Sequence, residues 1–200
     1  NLSTEDAKLL EDLYESFKAN GATLNKDDKE KYRKLSMDLS MLTLQFDQNA
    51  LKDKNRFELL ITDENELSGL PESARDAAAM LAKSKDKNGW LFNLSAPSYI
   101  PFMRYSDKRD LREKMYREYM SVGNKGDEFD NKDIIKKIVN IRLEIAQLMG
   151  FKNYAEYALE HTMAKNSANV YKLLNQLLEA YKPIAINEYN AVEGFALGTE

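Results

Sequence analysis

Apolar residues recur along most of this chain at three- and four-residue steps, a pattern that predicts helices. Ser3 is placed to cap the first, in which Leu10, Leu13, Tyr14 and Phe17 form a stripe until Asn20-Gly21 stops it. Asn25 caps the second, with Asp27 and Asp28 in its first turn, where negative charge suits the helix dipole. Tyr32, Leu35, Leu39, Leu42 and Phe46 then alternate steps of three and four, a seam for packing on a neighbour. A helix from Lys26 to Lys52 would be about 40 Å long. The short link before it predicts an antiparallel helix hairpin.

The character changes at Phe57. The segments Phe57–Thr62 and Trp90–Ser95 are short, partly alternating and rich in aromatic or branched residues, and they predict two antiparallel strands. A helix over Pro71–Lys85 lies between them. A two-stranded ribbon is marginal alone, so one face should rest on helices. Pro97 and Pro101 interrupt the next stretch and leave a compact turn or short helix.

Helical spacing then resumes. Ser106 or Asp107 can cap a segment carrying Leu111, Met115, Tyr119 and Val122, which ends in the polar loop Gly123–Asp127. Asp130 or Asn131 caps the next, with a stripe of Ile134, Ile138, Ile141, Ile145 and Leu148 that closes at Gly150, Phe151 lying beyond the cap. Asn153 and Glu156 have the spacing of a capping box. The last helix begins near Ser167 and carries Val170, Leu174, Leu177 and Tyr181. Pro183 should kink it or end it at Lys182, and Gly198 could serve as a C-cap. No helical-repeat period recurs, and the loop around Gly126 is the one internal boundary the pattern offers.

Composition narrows the function. A chain of 200 residues can bury roughly 70% of its unfolded surface, and 43% hydrophobic residues supply a normal core. Thirty-three acidic against 29 basic residues leave a net charge of −4 with no basic stripe, which argues against nucleic acid as a partner. No apolar run is long enough to span a bilayer. The absence of Cys excludes a disulfide framework and leaves the compartment open. The chain starts at Asn1 with no signal-like run, and its apolar pattern continues through Tyr189, Val192 and Phe195. The expectation is a piece of a longer protein.

The segment from Gly150 to Asn166, GFKNYAEYALEHTMAKN, carries a specific likeness. So do Leu70-Pro71-Glu72 before an alanine-rich helix, Pro97-Ser98-Tyr99-Ile100-Pro101-Phe102, Arg109-Asp110-Leu111-Arg112-Glu113-Lys114, and Asp130-Asn131 leading into Ile134-Ile135. In this order and spacing they resemble the thimet oligopeptidase and peptidyl-dipeptidase family of zinc metallopeptidases, over nearly the whole chain, with a lean toward bacterial peptidyl-dipeptidases. The resemblance implies a mainly α, zincin-like helical oligopeptidase with a two-lobed body around a deep channel. In it zinc would activate water, held by a His-Glu-x-x-His helix and a further Glu that lie beyond Glu200.

That helix is not in this chain. A catalytic zinc takes about three protein ligands, yet His161 is the one imidazole and there is no Cys. No second His stands four residues away, so the neighbourhood of Glu156, Glu160 and His161 reads as surface or packing. Glu11-Asp12, Asp27-Asp28 and Asp63-Glu64 read as solvated faces or helix starts. Asp127-Glu128-Phe129-Asp130-Asn131 lacks the ligand spacing of a calcium loop. Gly123 and Gly126 form no phosphate cradle, and no G-x-S-x-G occurs. Among eleven Tyr, those at 154, 157 and 171 sit nearest the best-matched segment, but Tyr at helical spacing is core packing first.

The reading is therefore a mainly α chain with a small two-stranded element, residues 1–200 forming the N-terminal channel-wall part of a larger metallopeptidase that the resemblance implies hydrolyses short peptides, as a peptidyl-dipeptidase releasing C-terminal dipeptides. No catalytic, cofactor-binding or metal residue is assigned within it. Zinc belongs to the full-length protein and none to this piece. The expected partners are short peptides and the catalytic domain of the same chain, with no nucleic acid and no membrane. The expected residence is the cytoplasm, with the periplasm as alternative. Two rivals stand beside it: a non-enzymatic helical module that holds a partner helix in a groove, and a purely structural bundle.

Overall fold

The structure, a computed structural model, describes residues 2–198. It is mainly α, with eight α-helices and one two-stranded sheet among the described residues. The helices are α1 (Thr4–Ala19), α2 (Lys26–Arg56), α3 (Glu72–Ser84), α4 (Ala96–Tyr105), α5 (Arg109–Met120), α6 (Lys132–Leu148), α7 (Tyr154–Leu159) and α8 (Ser167–Leu197), and the strands are β1 (Leu59–Ile61) and β2 (Trp90–Phe92). The chain divides into two compact units: residues up to Ser36 with those from Ile141 on, and Met37–Asn140. The division falls within α2 and α6, and the loop around Gly126 lies inside the second unit.

The second unit holds the main core. Strands β1 and β2 pair antiparallel, with Leu59 opposite Phe92, Leu60 opposite Leu91 and Ile61 opposite Trp90. Alternation sends Leu59 and Ile61 inward and leaves Leu60 exposed. The inward residues join Leu67, Leu70, Ala78, Phe92, Leu94, Phe102 and Met115. The rings of Phe92 and Phe102 meet edge-on at 4.8 Å, a favourable aromatic geometry.

Both strands are shorter than the alternation predicts, for local reasons. Asp63 turns its carboxylate onto the Asn65 N–H at 2.9 Å and starts a 3-10 turn over Glu64–Leu67, which buries Leu67. Asn93 ends β2 in the same way by accepting from the Ser95 N–H. Gly89 lies against β1, where an added Cβ would stand 2.3 Å from the Ile61 carbonyl oxygen. Gly69 meets Tyr105 as closely: its φ is +83° and a Cβ would come within 2.1 Å of that carbonyl oxygen.

The segment with Pro97 and Pro101 takes the helical alternative. Pro97 sits in the first turn of α4, where its missing N–H costs nothing, and Phe102 anchors the helix in the core. Helix α5 starts with Lys108 at the cap position and no side-chain cap. Neither Ser106 nor Asp107 caps it. The Ser106 hydroxyl accepts from the Lys108 N–H, and Asp107 accepts from the Ser68 hydroxyl at 2.6 Å.

In the first unit the Ser3 hydroxyl accepts from the Asp6 N–H, and Asn25 Oδ1 accepts from the Asp28 N–H, as their spacing predicts. Helix α1 nevertheless buries none of its side chains. After α6 the Phe151 N–H reaches the Ala146 carbonyl at 2.8 Å and the Gly150 N–H the Gln147 carbonyl at 3.0 Å, a paired closure that needs the positive φ of Gly150. Asn153 caps α7, but Glu156 does not reach back to complete the box; it accepts from the Ser167 hydroxyl.

Pro183 does not end the last helix, which runs on to Leu197 and closes at Gly198 in the left-handed region. The proline removes one N–H, and water can serve the freed carbonyl because Glu179 and Pro183 are both exposed.

Candidate functional site

The seam on α2 is where the sequence predicts it. Tyr32, Leu35, Leu39, Leu42 and Phe46 are all half-buried. The same alternation of three and four then reaches Asn49 and Asp53, the two buried residues of the helix. A polar continuation of an apolar stripe must find partners. Asn49 Nδ2 donates to Asn131 Oδ1 at 3.1 Å, and Asn131 Nδ2 donates to the Phe46 carbonyl at 3.0 Å. Asn131 thus precedes α6 while its side chain turns to α2, and Asp130 accepts from the Lys132 N–H at 2.9 Å.

Asp53 is fully buried and gathers the loop after α5. Its carboxylate accepts from the Gly123 N–H at 2.7 Å, Lys125 Nζ at 3.1 Å and Arg56 Nε at 2.7 Å. Lys125 also pairs with Glu118 at 2.7 Å, and Arg56 with Asp127. The Arg56 guanidinium holds the Asp127 carboxyl below its usual range. Asp130 lies lower still, at about 2, held first by Lys132 and also by the Lys132 and Gly126 N–H groups. Asp127 and Asp130, two of the three carboxylates in this loop, are thereby engaged by protein donors. The cluster is a clamp between helix and loop.

In the first unit the best-matched segment forms an aromatic group. The Tyr157 ring lies 5.5 Å from Phe151 and 5.9 Å from Tyr154, and the Arg142 guanidinium stands 5.2 Å over the Tyr154 ring. The Tyr157 hydroxyl donates to the Ala19 carbonyl at 2.8 Å. Burial pushes the Tyr157 hydroxyl well above its ordinary pKa, aided by a hydrogen bond with Tyr32. Tyr154 and Tyr157 therefore hold α7 in place, whereas Tyr171 on α8 is exposed.

The described residues offer no donor set for a catalytic zinc. His161 is half exposed, with Nε2 3.4 Å from Glu160, and Glu156 is taken by Ser167. Among the described residues no group of three or more His, Cys, Asp or Glu side chains could hold a metal ion. No described helix is long and apolar enough to cross a membrane.

Two surface features stand out, the first of them the unpacked apolar stripe that the sequence pattern of the last helix leads one to expect. Helix α8 has no buried residue, and Leu174, Leu177, Tyr181, Ile184, Tyr189 and Phe195 all lie exposed on it. On α5, Arg109, Arg112 and Arg117 surround a hollow. In the sequence these arginines stand out only as part of a matching segment.

Residues 102–198 match the model of Peptidase family M3. The chain is 36% identical over 197 residues to Oligopeptidase A of Haemophilus influenzae, covering 96% of this chain and 29% of that protein. It is 36% identical to the Probable cytosolic oligopeptidase A of Arabidopsis thaliana, covering 98% of this chain and 29% of the relative. To the Dipeptidyl carboxypeptidase of Escherichia coli it is 29% identical, covering 96% of this chain and 28% of that protein. Identity is thus higher to these oligopeptidases than to this dipeptidyl carboxypeptidase, against the lean of the motif resemblance. The chain spans under a third of the length of these curated relatives. With helical architecture, motif order and similarity in agreement, the chain belongs to the M3 family of peptidases.

Proposed function

We propose that this chain is part of a zinc metallopeptidase that hydrolyses short peptides, and that it builds the wall of the substrate channel without taking part in bond chemistry. The observation that carries the reading is the 36% identity to two proteins named oligopeptidase A across almost the whole chain. The identities also favour oligopeptidase action over release of C-terminal dipeptides. Zinc would be held by residues outside this chain, since no donor set among those described fits it.

The exposed apolar side chains of α1 and α8 support the partner half of the proposal. Leu10, Tyr14 and Phe17 on α1 are as open as the stripe of α8. Apolar surface of this extent marks an interface, and the catalytic part of the same polypeptide is the partner proposed for it. The cytoplasm is the proposed residence, in keeping with the cytosolic relative.

Metal analysis of this chain after dialysis, beside a quenched-fluorescent peptide assay, tests the division of labour. The expected result is no stoichiometric zinc and no hydrolysis. One tightly held zinc per chain, or hydrolysis abolished by His161→Ala, would overturn it.

A further inference from the structure

Met103, Arg109, Arg112, Glu113, Tyr116 and Arg117 line an open hollow of about 450 Å³ beside α4 and α5 in the second unit. The α5 members are spaced by three, one, three and one, so they share one face of the helix. Three guanidinium groups meet one carboxylate there, and that carboxylate is already used. Glu113 Oε1 accepts from both Nε and Nη2 of Arg117 at 2.7 Å.

Neither of the other two guanidinium groups pairs with a carboxylate among the described residues. Arg112 donates through Nη1 to the carbonyl of the buried Ser106, a neutral partner that fixes the group and leaves its other edges open. Arg109, one turn earlier, has no carboxylate partner among the described residues. Tyr116 is half exposed, and with Met103 it gives the hollow an apolar flank. The charge is local, since the whole chain is acidic at −4. Other motif segments have internal work to do: Phe102 fills the core and Asn131 ties α2 to α6. The free side of the Arg109–Lys114 segment has none.

Planar guanidinium groups match carboxylates through paired N–H donors, and an apolar flank suits the neighbouring side chain of a peptide. We propose that this hollow binds the side-chain carboxylate of an acidic peptide, with Arg109 and Arg112 as donors and Tyr116 and Met103 against the adjacent apolar residue. The inference rests on the peptide-hydrolase reading and adds a preference for acidic residues on the peptide.

Fluorescence anisotropy with two labelled, end-blocked peptides, Ala-Glu-Glu-Phe-Ala and Ala-Gln-Gln-Phe-Ala, tests it on this chain. The Glu peptide should bind at least about tenfold tighter than the Gln peptide, as charged hydrogen bonds require. R109Q combined with R112Q should remove that preference while far-UV circular dichroism stays unchanged. K114Q, which removes the same kind of charge outside the hollow, should leave binding within about twofold. Equal binding of the two peptides, an unchanged preference in the folded double variant, or an equal loss in K114Q would overturn the inference. None of these touches the peptidase reading, which is judged by hydrolysis.

Discussion

Asn49 Nδ2 donates to Asn131 Oδ1 across 3.1 Å, tying α2 to the start of α6 over 82 residues of chain. Both side chains are buried, and Asn131 returns a second bond to the Phe46 carbonyl. Asn131→Ala strands buried polar groups on α2 and should cost about 2 kcal/mol. Asn131→Asp keeps the shape but turns an oxygen toward that carbonyl, so it should cost more. Urea unfolding of the two variants checks the order; an Asp variant as stable as wild type would show that the donor is not needed.

The clamp around Asp53 predicts a larger effect. Asp53→Ala leaves the Gly123 N–H without its acceptor and Lys125, itself largely buried, with Glu118 alone. Removing one partner from such a group should cost about 3 kcal/mol or more. The exposed pair of Glu113 and Arg117 is the comparison, and Glu113→Ala should cost under about 1 kcal/mol. Thermal unfolding of both variants measures the gap, and equal losses would contradict a buried clamp.

Acid should loosen the same region. Asp130 titrates at about 2 in the folded chain, below its ordinary value of 3.8. A carboxyl depressed on folding adds stability above its unfolded pKa and loses it as pH falls through the folded one. Asp127 is depressed in the same sense by Arg56, and Glu58 by Lys85 and Lys87. The stabilisation should thus be full at neutral pH and fade from about pH 4 to about pH 2. Asp130→Asn imitates the protonated group. Its melting temperature should lie below wild type at pH 7 and converge with it near pH 2; a gap that stays constant would rule out the linkage.

Helix positions and most caps were legible because they follow local rules. Ser3, Asn25 and Asn153 each accept from an N–H three residues on, and Gly150 closes α6 as its place after the stripe predicts. The α2 seam was legible only to Phe46, where the apolar residues run out. Its register continues to Asn49 and Asp53, and following register instead of hydrophobicity would have flagged both. Their partners lie 70 to 82 residues away, beyond any local spacing rule. The Asx turn at Asp63 shortened β1 in competition with strand propensity, and solvent around Glu179 let α8 continue past Pro183. The arginine hollow needed the helix face to be seen, because Asp107, Asp110 and Glu113 are interleaved with the arginines in sequence, whereas of these three only Glu113 lines the hollow with them.

The central claim is that this chain governs access to chemistry performed elsewhere. Its most direct measurement uses Haemophilus influenzae oligopeptidase A with its matching 29% replaced by this chain, assayed as kcat/KM on one short and one long peptide, with metal content as control. The chimera should cut the short peptide in preference. Leu39→Asp, which sets a charge on the half-buried seam, should destabilise the wall by several kcal/mol. It should weaken the short-over-long preference while zinc content holds, and Lys34→Ala on the exposed face should change neither. If Leu39→Asp leaves stability and size preference untouched, or lowers zinc content and hydrolysis of both peptides together, the chain is not a wall that selects by access.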